Sequence, residues 1–124
     1  MDDITTVTRK GVAGAHKTGH IMNILRANVP EEVAGYKTRV VRDYRLEYIR
    51  NIETGEVKPT GFPNANVLYY ELENDAWLAV RPSGTEPKIK FYYGIKGSSY
   101  DEAQKESAAF GDKVMDLIYD ILEK

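Results

Sequence analysis

The stretch NVLYYELENDAWLAVRPSGTEPKIKFYYGI, Asn66–Ile95, reads as three strands separated by two turns. Asn66–Leu72 and Ala76–Val80 are rich in aromatic and branched residues, and Glu73, Asn74 and Asp75 between them form a trio that favours an antiparallel hairpin. In the third strand Ile89, Phe91, Tyr93 and Ile95 alternate with Lys88, Lys90 and Tyr92. A period of two predicts a strand with one apolar face turned to a core and one basic face turned to solvent. Working outward, the fold expected is α+β, a mostly antiparallel sheet with two helices packed on one face.

The second turn, Arg81–Pro87, carries the chemistry. Arg81 offers a planar fork of donors that can grip two oxygens of a phosphate, and Ser83 and Thr85 offer hydroxyls. Gly84 lets the main chain and its N–H approach an anion with no Cβ in the way. Pro82 and Pro87 fix φ at both shoulders and restrict the residues before them, so a ligand has less left to order. Lys90 stands on the basic face just past the turn, within reach of an anion held by Arg81. Glu86 is the discordant charge, better suited to bracing a neighbouring backbone or cation. The same residue types also make ordinary turns, and lysines on a strand can simply be a solvated face.

The rest of the chain supports this core. Ile4–Arg9 reads as a first strand ending in a turn at Gly11–Gly14. Ala15, Met22, Leu25 and Val29 recur at helical spacing, with Ile21 and Ile24 widening the stripe, and this helix should stop before Pro30. Tyr36–Arg42 and Tyr44–Arg50 read as strands, Thr54 and Gly55 as a turn, and Lys58–Asn64 as a loop. Ser99 with Glu102 fits a capping box. The helix that follows carries a stripe of Ala103, Phe110, Val114, Leu117 and Ile121, with Ser107 in the remaining place.

Composition narrows the function class. A chain of 124 residues is expected to form one domain, residues 1–124, burying about two-thirds of its unfolded surface. With no cysteine there is no disulfide framework, thiolate nucleophile or zinc–thiolate site, which fits a cytoplasmic setting. No apolar run approaches the roughly 20 residues of a membrane span, and the first residues lack a signal-peptide pattern. Net charge of −2 with interleaved signs argues against a nucleic-acid partner, and the nine tyrosines fall mostly in strand patterns. His16 and His20 are four apart but lack an HExxH pattern or a third ligand, so no metal is expected. The acid pairs Glu31–Glu32 and Asp101–Glu102 suit solvated or capping roles, so no catalytic residue is assigned. Gly11, Gly14 and Gly19 do not make a dinucleotide fingerprint.

RPSGTEPKIKFYYG, residues 81–94, resembles the phosphate-contacting loop and following strand in the last domain of α-D-phosphohexomutases, best in the phosphoglucomutase and phosphomannomutase variant. The similarity extends through residues 66–87 and to HIMNILRANVPEEVAGYKTRVVRDY, residues 20–44, and is weakest over residues 46–63. It implies a terminal domain with a TATA-box-binding-protein-like arrangement, which carries no implication of DNA binding. It also implies that Arg81, Ser83, Gly84, Thr85 and Lys90 bind substrate phosphate. Such enzymes interconvert hexose 1-phosphate and hexose 6-phosphate through a phosphoserine and a bisphosphate intermediate, with Mg2+ at the phosphoserine. The partners implied are therefore hexose phosphates, the hexose bisphosphate and the remaining mutase domains. No TASHNP-like serine loop, DGDxDR-like metal loop or GEESGH-like sugar loop occurs in the sequence. The expectation is a C-terminal part of a longer mutase, inactive alone and binding no cofactor itself. Two rivals are a stand-alone phosphometabolite-binding module and an interaction domain that dimerises through its tyrosine-rich strands or first helix.

Overall fold

The computed structural model describes residues 5–14 and 17–123. Among these, strands β1 (Thr5–Gly14), β2 (Glu32–Val33), β3 (Tyr36–Asp43), β4 (Tyr48–Asn51), β5 (Val57–Pro59), β6 (Leu68–Leu72), β7 (Trp77–Pro82) and β8 (Lys88–Gly97) build the sheet. Two helices, α1 (Thr18–Ala27) and α2 (Tyr100–Leu122), accompany them. The strand order is β1-β8-β7-β6-β3-β4-β5, with β2 paired to β3, and every pairing is antiparallel. The expected α+β class is the one observed.

Alternation decides which face is buried. Leu68, Tyr70 and Leu72 of β6, Leu78 and Val80 of β7, and Ile89, Phe91, Tyr93 and Ile95 of β8 are all buried. They join Ile21, Met22 and Leu25 of α1 and Phe110, Val114 and Ile118 of α2 in one core, so both helices cover the same face. Tyr93 and Phe110 meet with ring centroids 5.0 Å apart, tying β8 to α2. The opposite face, which carries Tyr69, Trp77, Ala79, Arg81, Lys90 and Tyr92, has no helix over it among the described residues. None of the described helices is long and apolar enough to cross a membrane.

The first strand departs from expectation. Gly11–Gly14 is not a turn; β1 runs on through these residues, paired with β8 from Thr5 opposite Gly97 to Gly14 opposite Lys88. The glycine is needed for a different reason. A Cβ at Gly11 would collide with the ring of Phe91, which lies over the strand backbone there. Ile4 and Ala15 lie outside the described residues.

A second departure explains a corner of the fold. The expected strand Tyr44–Arg50 is shortened to β4, because Tyr44–Glu47 form a turn. Asp43, fully buried at the end of β3, sets that turn: its Oδ1 accepts the N–H groups of Arg45 and Leu46, both at 3.0 Å. The same carboxylate accepts from Arg26 Nε at 3.1 Å, and Arg26 Nη2 donates to Asn66 Oδ1 at 2.6 Å. Arg26 therefore turns inward from α1 and pins the helix to the end of β3, where the helical stripe alone leaves it on the polar side. β5 also claims Lys58 and Pro59 from the expected loop, pairing with β4 across the Thr54–Gly55 turn.

Helix α2 begins as its sequence dictates, with one change of partner. Ser99 Oγ accepts the N–H of Glu102 at 3.1 Å, whereas the Glu102 carboxylate accepts from the Ser98 hydroxyl at 2.5 Å rather than answering back to Ser99. Those hydrogen bonds from Ser98 hold the Glu102 carboxyl below its ordinary range. The buried stripe contains Ile118 where Leu117 was expected, because a long helix drifts around its axis; Leu117 is half-buried beside it. Ser107 is fully buried, accepting from Arg9 Nε at 2.7 Å and donating to the Gln104 carbonyl at 2.8 Å.

Breaking a buried ion pair from one side leaves an uncompensated charge, at a cost of about 3–5 kcal/mol. Asp43→Ala is therefore expected to lower the unfolding free energy by about 3 kcal/mol or more in urea denaturation. A loss below about 1 kcal/mol would show that the corner does not depend on this carboxylate.

Candidate phosphate-binding site

The hairpin of β7 and β8 places the site. Its register puts Arg81 directly opposite Lys90 and Pro82 opposite Ile89. Ser83 N–H donates to the Lys88 carbonyl at 2.8 Å, closing the ladder, and Lys88 N–H donates to the Glu86 carbonyl at 2.8 Å inside the turn. The amides of Gly84, Thr85 and Glu86 make no backbone hydrogen bond among the described residues. Three N–H groups at the tip are thus free to meet a ligand.

Side-chain chemistry at the tip is similarly open. Arg81, Gly84 and Thr85 are exposed, while Ser83 and Lys90 are half-buried. Neither Arg81 nor Lys90 enters an ion pair among the described residues. Like charges directly opposite on one sheet face repel, and the third residue of that row, Val12 of β1, supplies no compensating acid. The discordant Glu86 is engaged elsewhere, 2.8 Å from Lys88 Nζ. That hydrogen bond and the Lys88 charge, with Lys90 adding to them, hold its carboxyl below the usual range. Gly84 has no positive φ, and a Cβ there would meet nothing within 4 Å. The domain's own packing does not demand glycine at this position.

All five residues read from the sequence, Arg81, Ser83, Gly84, Thr85 and Lys90, therefore fall on one end of one hairpin. What the sequence reading missed is the direct Arg81–Lys90 pairing. A signal for it existed, since the two residues lie equally far from the centre of a symmetric turn. A recess of 540 Å³ beside Glu31, Glu32 and Thr38 and another of 260 Å³ beside Arg39, Tyr69 and Trp77 both lie away from the Arg81–Pro87 loop. No described group of three or more His, Asp or Glu side chains is arranged to hold a metal, and His16 lies outside the described residues.

Comparison with known proteins identifies the family. The family model described as phosphoglucomutase/phosphomannomutase, C-terminal domain, matches residues 22–112, which include the whole hairpin. The phosphoglucomutases of Staphylococcus aureus strains bovine RF122 / ET3-1 and USA300 are each 34% identical to the chain over 108 residues, covering 86% of it and 19% of their own length. That of strain N315 is 33% identical over the same span. The chain thus spans about a fifth of the length of the curated relatives it matches. With most of its residues under the family model, the chain belongs to the phosphoglucomutase/phosphomannomutase C-terminal domain family.

Proposed function

We propose that this chain is the substrate-phosphate clamp of a phosphoglucomutase/phosphomannomutase, the C-terminal domain of an enzyme that interconverts hexose 1-phosphate and hexose 6-phosphate. The observation that carries this reading is the Arg81–Lys90 pair, two cations facing each other beside unpaired loop amides with no carboxylate partner among the described residues. Arg81 supplies bidentate charge, Ser83 and Thr85 donate hydroxyls, Gly84 presents its N–H, and Lys90 adds a second cation.

The clamp holds the phosphate that is not being transferred. Because the bisphosphate intermediate presents either end, one clamp serves both half-reactions. Closure of the domain over the cleft would bring a second surface against the loop and exclude water from the phosphoserine. Phosphoryl transfer needs a nucleophile, charge neutralisation and positioning together, and this chain provides only the last of these with part of the second. Alone it is inactive. The Mg2+ implied for the whole enzyme finds no ligand set among the described residues, so no step of this chain runs through it.

Charge-assisted hydrogen bonds contribute about 1.5–3 kcal/mol each, while association costs at least about 4 kcal/mol and an exposed loop is screened by salt. Binding of inorganic phosphate is therefore expected in the millimolar range, with amide NMR shifts confined to residues 81–90 and lost in Arg81→Ala. No shift there at tens of millimolar would overturn the assignment. In the whole mutase Arg81→Ala is expected to lower kcat/KM by about tenfold or more, a loss of about 1.4 kcal/mol, with the fold intact; unchanged kinetics would remove Arg81 from the site. Lys90→Gln is expected to leave stability unchanged or raise it by about 0.2–1 kcal/mol, since it relieves cross-strand repulsion. A loss of more than about 1 kcal/mol would mark Lys90 as a structural residue instead.

A further inference from the structure

Away from the phosphate loop, the sheet carries two adjoining recesses built on one cross-strand row. Asn51 of β4, Val40 of β3, Glu71 of β6 and Trp77 of β7 stand opposite one another in register. A recess of 260 Å³ is lined by the whole row together with Tyr69, and a second of 190 Å³ shares Val40, Asn51 and Glu71 with it. The first has an aromatic wall. Tyr69 and Trp77 stack with planes 10° apart and centroids 5.7 Å apart, and the Arg42 guanidinium lies over the Tyr69 ring at 5.2 Å. The indole also crosses β8 at Gly94, where a Cβ would collide with it. Both rings are therefore held before any ligand arrives, which lowers the ordering cost of binding. Four residues of strand, about 13 Å, separate Trp77 from Arg81, so these recesses and the phosphate loop hold separate ligands.

We propose that the two recesses bind neighbouring units of a neutral, unphosphorylated oligosaccharide. Charge decides the ligand class. Glu53, Glu71 and Asp75 of the first recess are each compensated, by Arg39 at 3.3 Å, Arg42 at 2.9 Å and Lys96 at 2.8 Å. The second adds one acid, Glu56, and one base, Lys58. No net charge is left to draw an ion, in contrast to the Arg81–Lys90 end. What remains is hydrogen-bonding capacity of both kinds. Asn51 spends its Oδ1 on the N–H groups of Glu53 and Thr54 at 2.9 and 3.0 Å, and its amide N–H groups donate to nothing among the described residues. Glu71 accepts from Arg42 through Oε2, and its Oε1 accepts from nothing described. A spare donor and a spare acceptor on either side of Val40 suit hydroxyls, which both donate and accept. The aromatic wall gives the C–H surface of a sugar ring dispersion and apolar contact. Because the recesses share three wall residues, they seat successive rings of one chain.

Trp77 is the only tryptophan in the chain, so its fluorescence reports on this site alone. The test titrates the chain with maltotriose and with cellotriose, reading Trp77 emission and amide NMR shifts. At least one trisaccharide is expected to bind at about 1–10 mM, shifting Val40, Asn51, Tyr69, Glu71 and Trp77, with the affinity unchanged by added inorganic phosphate. Tyr69→Ala should weaken binding about fivefold, and Tyr69→Phe should keep it. Asn51→Asp, which retains the oxygen that caps the turn but replaces the spare donor with an acceptor, should also weaken it about fivefold. Silence from both trisaccharides at about 100 mM, or shifts confined to other parts of the chain, would overturn the proposal. So would a stronger response to arginine or to adenosine monophosphate, which would give the recesses to an ion. None of these results touches the phosphate clamp, whose own signal lies at residues 81–90.

Discussion

Two positive side chains held face to face across β7 and β8 form the arrangement on which the functional reading depends. Within the described residues, Arg81 and Lys90 gain no compensating acid, so their juxtaposition opposes folding slightly and needs the rest of the hairpin to impose it. The imposition is strong. β8 is paired along its length by β1 and β7, and its other face is packed by Phe91, Tyr93 and Ile95 into the core beneath α2. A slip of one residue would carry the cations into that core and the apolar residues out to solvent. Core packing therefore fixes a charge arrangement that local energetics alone would not choose.

The other parts of the domain serve the same end. α2 is anchored at its start by Ser98 and Ser99, and along its length by the buried Ser107 against Arg9 of β1. At the far side of the sheet the Arg26–Asp43 pair joins α1 to the end of β3 and sets the turn that follows. With both described helices on one face, the opposite face of β6, β7 and β8 has no helix over it among the described residues, and the Arg81–Pro87 loop emerges at its end. The chain belongs to the C-terminal domain family and spans about a fifth of the length of the relatives it matches.

Much of this was legible in the sequence because the signals were local. The alternation from Ile89 to Ile95 marks its buried face without outside help, and Ser99 caps α2 through an amide only three residues away. The loop residues were legible for the same reason, since their donors lie within a few positions of one another. What escaped was set by distant partners. Gly11 signals a turn until the Phe91 ring is seen to need its missing Cβ, and Tyr44 continues a strand until Asp43 captures the next amides. Arg26 belongs to the polar side of its helix until a buried carboxylate on another element claims it.

The most direct measurement is a crystal structure of the chain grown with glucose 1-phosphate. Phosphate oxygens should lie about 2.7–3.0 Å from the Arg81 guanidinium and the Gly84 or Thr85 amide, with the Lys90 ammonium beside them. A phosphate found elsewhere on the molecule, with Arg81 turned into an ion pair and the loop tip unliganded at saturating concentration, would contradict that arrangement.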